Sequence, residues 1–250
     1  MHFKLGMIAL TGFIVAVVCL GGAFALGVGH MNLADSITSF GDSDSPRCDV
    51  ALTGQSATRT LSWDNSDTAG VAVPANIHYR RGQGSQVVVT GDSALLPHIE
   101  IVDGSVRLNC HMRWVKGTRL DVTLPGREFK RFSIAGVGDM TLDGIDQSDL
   151  TLNVAGAGNI MASGKVQSLE LHVAGAGDAK LAQLAVDRVA VHVAGSSNID
   201  VAPKDDLEAD VVGSSTVTLH SEPRSIETHI IGSGRIIHPD GSVSGNNRHI

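Results

Sequence analysis

Between Phe132 and His238 a pair of small residues, one position apart, returns six times: Gly136/Gly138, Gly156/Gly158, Gly175/Gly177, Gly195/Ser197, Gly213/Ser215 and Gly232/Gly234. The steps between first members are 20, 19, 20, 18 and 19 residues. Self-similarity at a fixed period constrains architecture more than any local pattern does, because every copy must fold alike and meet its neighbours alike.

Within each copy the residues six, four and two places before the first glycine are mostly apolar and β-branched. The series Phe132, Leu152, Leu171, Val191 and the series Ile134, Val154, Val173, Val193 show it most clearly. Alternation with period 2 predicts a strand with one face inward. Four and six places after the glycine a shorter strand repeats the rule, as in Met140, Ile160, Ala179, Ile199 and Val217. Between the strands, Gly-x-Gly followed by Asp139, Asn159, Asp178 or Asn198 suits a sharp bend. Glycine accepts positive φ, and Asp and Asn bond neighbouring backbone readily. The remaining eight or so residues of each copy vary and are often polar.

One copy cannot bury its apolar face, but stacked copies can, at about 4.8 Å per layer. The expected fold is all-β: a single-stranded parallel β-helix, or solenoid, with about 19–20 residues per coil. A leucine-rich repeat would need a Leu/Asn pattern and a helical half, and a calcium-binding nonapeptide solenoid needs Gly-Gly-x-Gly-x-Asp; neither pattern is present. Aromatics make up 4% of the chain and glycines number 29, which suits narrow coils with tight corners. A net charge of −7 offers no broad basic surface, so nucleic acid is not an expected partner.

From Leu5 to Gly29 there is no charged residue, a length that can span a bilayer at about 20 residues. The span also holds Ala23-Phe24-Ala25, a small-x-small site of the kind signal peptidase cuts. Residues 1–30 are therefore read as a hydrophobic helix serving as cleaved signal peptide or uncleaved anchor. Either sends the rest of the chain across the inner membrane, to periplasm or envelope. Residues 31–47, rich in Ser, Asp and Gly, read as a flexible linker. Cys19 belongs to the targeting segment, which leaves Cys48 and Cys110. An oxidising compartment lets them pair; two buried free thiols are the other reading.

Residues 48–130 read as less regular coils and a cap, with strands over Thr58–Trp63, Val71–Tyr79, Gln86–Thr90, Ile99–Asp103, Ser105–Met112 and Thr118–Leu124. A cap would blunt the open strand edge. After the regular repeats of 131–238, Pro239-Asp240-Gly241 stops the pattern, and 243–250 reads as a frayed tail.

The run Leu61-Ser62-Trp63, Val71-Ala72-Val73, Tyr79-Arg80-Arg81-Gly82, Gln86-Val87-Val88-Val89-Thr90-Gly91-Asp92 and Asp103-Gly104-Ser105-Val106 precedes coils carrying Val-Ala-Gly-Ala-Gly-Asn/Asp. In this order the motifs resemble the bacterial family called putative auto-transporter adhesin, head GIN domain, over roughly Ala57–His238. The resemblance implies a right-handed parallel β-helix on an exported envelope protein and suggests adhesion. It brings no catalytic or binding residues with it.

Three places before each first glycine stand Ser133, Asn153, His172, His192, Asp210 and His229. This offset faces outward, and stacking sets His172 beside His192 with Asp210 next. The three are candidate ligands for zinc or another divalent ion; a solvated polar ladder is the alternative. Asp139, Asn159, Asp178 and Asn198 form a second column, read as a ladder satisfying the corners, with a calcium row as the alternative.

Polysaccharide lyases and hydrolases of this fold need clustered carboxylates in a deep groove. No paired acidic motif stands out, no G-x-S-x-G elbow is present, and Thr141, Met161 and Lys180 occupy the place of a dinucleotide loop's third glycine. The expectation is a non-catalytic envelope solenoid without a cofactor, acting as a binding, adhesive or scaffolding surface. Its ligand would be a polysaccharide or protein, with self-association through its ends as a further option. A carbohydrate-active β-helix enzyme is the alternative.

Overall fold

The computed structural model describes residue 48, residues 50–110 and residues 118–245. The signal or anchor segment with Cys19, the linker, Met112 and the tail beyond 245 lie outside the described residues. Among the described residues, no helix is long and apolar enough to cross a membrane.

The described chain is all-β apart from one 3-10 turn, Leu96–His98. Its strands are β1 Ser56–Ser62, β2 Thr68–Val71, β3 Ala75–Arg80, β4 Gln86–Asp92, β5 Ile99–Val102, β6 Ser105–Leu108 and β7 Leu120–Thr123. Then come β8 Arg131–Gly175, β9 Ala179–Gly195, β10 Asn198–Val201, β11 Pro203–Gly213, β12 Thr216–Leu219, β13 Ser225–Gly232, β14 Arg235–Ile237 and β15 Val243–Gly245. β8 is long because it turns corners without losing its ladder.

From β8 onward the chain is a β-solenoid. β8 pairs with β9, β9 with β11 and β11 with β13, all parallel and with Gly175, Gly195, Gly213 and Gly232 in line. The second strands stack likewise, β9–β10–β12–β14. The inward rule holds to the residue: Met140, Ile160, Ala179, Ile199, Val217 and Ile236 are each 0% exposed. In the last coil Ile226, Thr228 and Ile230 lose that cover, since among the described residues β13 pairs only with β11. The variable third side also contributes to the core, through Ile145, Val166, Leu184 and Val186. Its alternation is too short and too interrupted to stand out in the sequence.

The first glycines of the corners answer two demands at once. Gly136, Gly156, Gly175, Gly195, Gly213 and Gly232 all have φ between 111° and 144°, where L side chains are strained. From Gly156 upward, a Cβ would also collide with the carbonyl of the glycine one coil below. That carbonyl is in use: Gly156 O accepts from Ala176 N–H and Gly175 O from Ser196 N–H, each at 2.9 Å.

The second glycines correct the expectation that positive φ explains the whole Gly-x-Gly corner. Gly138, Gly158, Gly177 and Gly234 do not take positive φ. They turn into the packed corner and are buried, so space is what limits them. A Cβ at Gly138 would meet Ala75 O at 2.4 Å, and one at Gly177 would meet Gly158 O at 2.1 Å. At Gly234 it would meet methyl groups of Ile230 and Val211 at 2.8 Å. Gly158 is the loosest of the four, with its nearest neighbours, Gly138 O and Ile134 Cγ2, at 3.2 Å. Without a left-handed backbone to satisfy, this position also accepts a side chain where the corner has room. Ser197 and Ser215 fill it in two coils and are buried.

The N-terminal part differs from a simple run of coils. The expected strand Val71–Tyr79 is two strands broken at Pro74, because the chain turns a corner there. β2 lies under Arg131–Ile134 and β3 under Gly138–Asp143, so 68–80 forms the coil beneath the first glycine pair. β6 and β7 lie under that coil in turn, although they follow it in sequence. The end is closed by antiparallel pairs β4–β7, β1–β4 and β5–β6. A disulfide joins Cys48 to Cys110 across the end, with Cα atoms 5.3 Å apart. Trp63, Tyr79, Phe129 and Phe132 pack edge to face there, with centroids 5.0–5.9 Å apart. At the other end the expected tail begins as a strand: β15 folds back antiparallel on β14.

Candidate functional site

The outward face of the first-strand sheet holds the imidazole column. Parallel register sets His172 opposite His192, His192 opposite Asp210 and Asp210 opposite His229. The residues between them in each strand, such as Leu171, Val173, Val191 and Val193, are buried. The alternation that fills the core therefore lines up the polar column on the other face.

The His172 and His192 rings stack with centroids 5.0 Å apart and 18° between planes. His172 Nε2 lies 3.0 Å from Glu170 Oε1. His192 Nδ1 lies 3.1 Å from Asp210 Oδ2, and His229 Nδ1 lies 3.3 Å from Asp210 Oδ1. Partial burial pushes the His172 pKa below its ordinary value; Glu170 pulls it back up, and His192 and Arg131 lower it. Burial of a cationic ring is the dominant cause. Below the imidazoles, Asn153 Nδ2 donates to Ser133 Oγ at 3.2 Å.

His172, His192 and Asp210 thus stand in one line, but one ligand-sized cluster does not contain all three. The atoms that lie within 4.8 Å of one another belong to Glu170, His172 and His192. Glu170 lies off the offset from the glycine that marks the imidazole column in the sequence. Two residues before His172 on the same strand, Glu170 faces the same way.

The second column is a hydrogen-bonded ladder. Asn159 Nδ2 donates to Asp139 Oδ1 at 2.7 Å, Asp178 N–H to Asn159 Oδ1 at 3.1 Å, and Asn198 Nδ2 to Asp178 Oδ1 at 3.0 Å. Below it, Asn76 Nδ2 donates to Asp121 Oδ1 at 2.9 Å, and Arg119 bridges Asp139 and Asn76. The column therefore reads Asp121, Asn76, Asp139, Asn159, Asp178, Asn198 from paired positions and hydrogen bonds. Each carboxylate between two coils faces amides rather than another carboxylate, so the oxygens are engaged in the ladder.

A third feature is an open groove of about 760 Å³ along the variable side. Asp146, Lys165, Gln183, Asp187, Lys204 and Glu222 line it from successive coils. Lys165 Nζ is 3.4 Å from Asp146 and Lys204 Nζ is 3.8 Å from Asp187. A fourth cluster sits in the cap, where His98 Nδ1 lies 3.4 Å from Cys110 Sγ.

Among solved structures, a putative adhesin of Bacteroides fragilis aligns at 18% identity with TM-score 0.57, over 75% of this chain and 98% of that one. A putative lipid binding protein of Parabacteroides distasonis aligns at 18% identity with TM-score 0.45, over 75% and 98%. A putative adhesin of Parabacteroides merdae aligns at 13% identity with TM-score 0.40, over 75% and 97%. At such identity the first likeness speaks for the fold alone. No curated protein matches the sequence. The model of the family described as putative auto-transporter adhesin, head GIN domain, matches residues 68–223, from the first full coil nearly to the last. The chain belongs to that family.

Proposed function

We propose that this protein is a non-catalytic, exported envelope protein that binds a chain-like ligand, a polysaccharide, along the groove of its variable side. The observation behind the reading is the groove's charge order. Asp146, Lys165, Asp187, Lys204 and Glu222 alternate in sign from coil to coil, with Gln183 and Gln167 between them. Such a wall offers donors and acceptors at each rung and little net charge, which suits the hydroxyl groups of a neutral sugar chain running parallel to the axis. The groove's ammonium–carboxylate pairs favour binding over hydrolysis, because a glycosidase keeps its two carboxyls free to work on one bond.

The coil is read as right-handed, as crossovers between parallel strands overwhelmingly are. Residues 1–30 are read as the export signal or inner-membrane anchor, which places the solenoid in the periplasm or at the surface. The family description supports an exported, adhesive role. A protein ligand is the other outcome.

The test is retention of the full chain on immobilised envelope polysaccharide, with the wild type beside a Lys165→Glu, Lys204→Glu variant. Charge reversal should remove retention. Equal retention of both would exclude the groove, and retention on envelope protein instead would replace the ligand class. Fractionation of cells making a C-terminally tagged chain, with N-terminal sequencing, tests export; a cytoplasmic, uncleaved product would overturn it.

A further inference from the structure

We propose that Glu170, His172 and His192 form a binding site for a divalent cation of the zinc type, with Asp210 fixing the His192 ring from behind. The three donors come from two adjacent coils whose register is set by eight consecutive pairs from Ser168↔Arg188 to Gly175↔Gly195. They stand on strand backbones above a closed core, the rigid setting that a metal constellation needs.

The donor set suits the ion. Zinc takes imidazole nitrogen and carboxylate oxygen at about 2.0–2.2 Å in a tetrahedron. Two donors of one tetrahedral zinc then lie a little over 3 Å apart, close to the 3.0 Å between His172 Nε2 and Glu170 Oε1. His192 offers a ring nitrogen within 4.8 Å of the other two donors, so a small side-chain movement closes the set. The harder cations calcium and magnesium prefer all-oxygen sites, which this is not.

Asp210 has the role that a carboxylate behind a metal-bound histidine takes. Its Oδ2 accepts from His192 Nδ1 at 3.1 Å, which places the proton there and leaves Nε2 with its lone pair. In this arrangement Asp210 orients a ligand instead of being one. Side-chain exposures of 43% for Glu170, 34% for His172 and 31% for His192 leave one side open. A water or an oxygen of another molecule completes four-coordination there. Arg131 acts on His172 from two coils below, while the carboxylates of Glu170 and Asp210 bring negative charge to the same face.

The probe is zinc alone, titrated into the full chain at neutral pH under non-reducing conditions, in competition with a chromophoric chelator. Keeping the disulfide intact removes the Cys48, His98 and Cys110 cluster as a competing site. The wild type should take up a single equivalent, and His172→Ala, His192→Ala and the near-isosteric Glu170→Gln should each abolish it. Asp210→Asn should keep the stoichiometry and weaken affinity by about 10–100-fold. Zinc should also raise the melting temperature of the wild type and not that of His172→Ala. No uptake by a folded wild type, or equal uptake by the wild type and a folded Glu170→Gln variant, would overturn the site. The groove reading stands or falls separately, since none of its residues is used here.

Discussion

Asn159 donates from its side-chain amide to the carboxylate of Asp139 at 2.7 Å, one coil below, and its own carbonyl oxygen accepts from the backbone of Asp178, one coil above. An amide can do both, and a carboxylate cannot. Stacked carboxylates would repel at rung spacing, so alternation of Asp and Asn is what lets a polar column run up a solenoid.

Asn159→Asp should therefore cost stability although it is nearly isosteric. Loss of one donor and apposition of like charges are together worth about 1–2 kcal/mol at this exposed corner. The urea midpoint at neutral pH reads the loss, and added salt should recover part of it. An unchanged midpoint would mean the ladder is ornamental.

Corner glycines should differ according to their place in the stack. Gly136 has positive φ but open space where a Cβ would sit, whereas a Cβ at Gly175 meets the backbone of Gly156. Gly175→Ala should then be more destabilising than Gly136→Ala by about 1–3 kcal/mol, the cost of forcing packed coils apart. Equal losses in chemical unfolding would show that φ alone matters.

Acid should loosen the cap before the coils. Hydrogen bonds from the backbone of Ala94, Thr53 and Gly54 hold the Asp92 carboxyl below its ordinary value of 3.8. A depressed acid contributes stability above its unfolded pKa and loses it as pH falls through the folded one. Melting curves below pH 3.8 should fall more steeply for the wild type than for Asp92→Asn. Parallel curves would remove Asp92 from the acid response.

The disulfide closes a separation of 62 residues. Cys48→Ser, Cys110→Ser should lower stability by about 2–4 kcal/mol. A reductant should lower the melting temperature of the wild type and leave the double variant unmoved; an unmoved wild type would show that the bridge is not what holds the cap.

The regular coils were legible because a solenoid repeats its constraint. Gly156, Gly175 and Gly195 recur under the same steric demand, and Leu152, Leu171 and Val191 under the same burial. The pairing of glycines was legible too, but not that its two members serve different ends. A sequence shows Gly175 and Gly177 as alike, while the corner asks a left-handed backbone of the first and only room of the second. The cap was less legible for a physical reason. A β-branched run such as Gln86–Asp92 announces a strand but not its partners, and here they are Ser56–Ser62, far back in the chain, and Leu120–Thr123, far ahead, both antiparallel. Asn76 and Asp121 extend the Asp/Asn ladder without a glycine pair to mark their register. Glu170 was hidden for the same kind of reason: its neighbour across the coil is Ala190, so its column shows no polar repeat at that step.

Successive corners climb one axis in sequence order. Val137, Ser214 and Ser233 occupy the same exposed corner position on different coils. Spin labels paired as Val137→Cys with Ser214→Cys, and as Val137→Cys with Ser233→Cys, in a Cys19→Ser background, read the climb by pulsed dipolar spectroscopy. Four and five coils should give about 19 and 24 Å, a step of one rung. Distances that fail to lengthen by about one rung from the first pair to the second would contradict the stack.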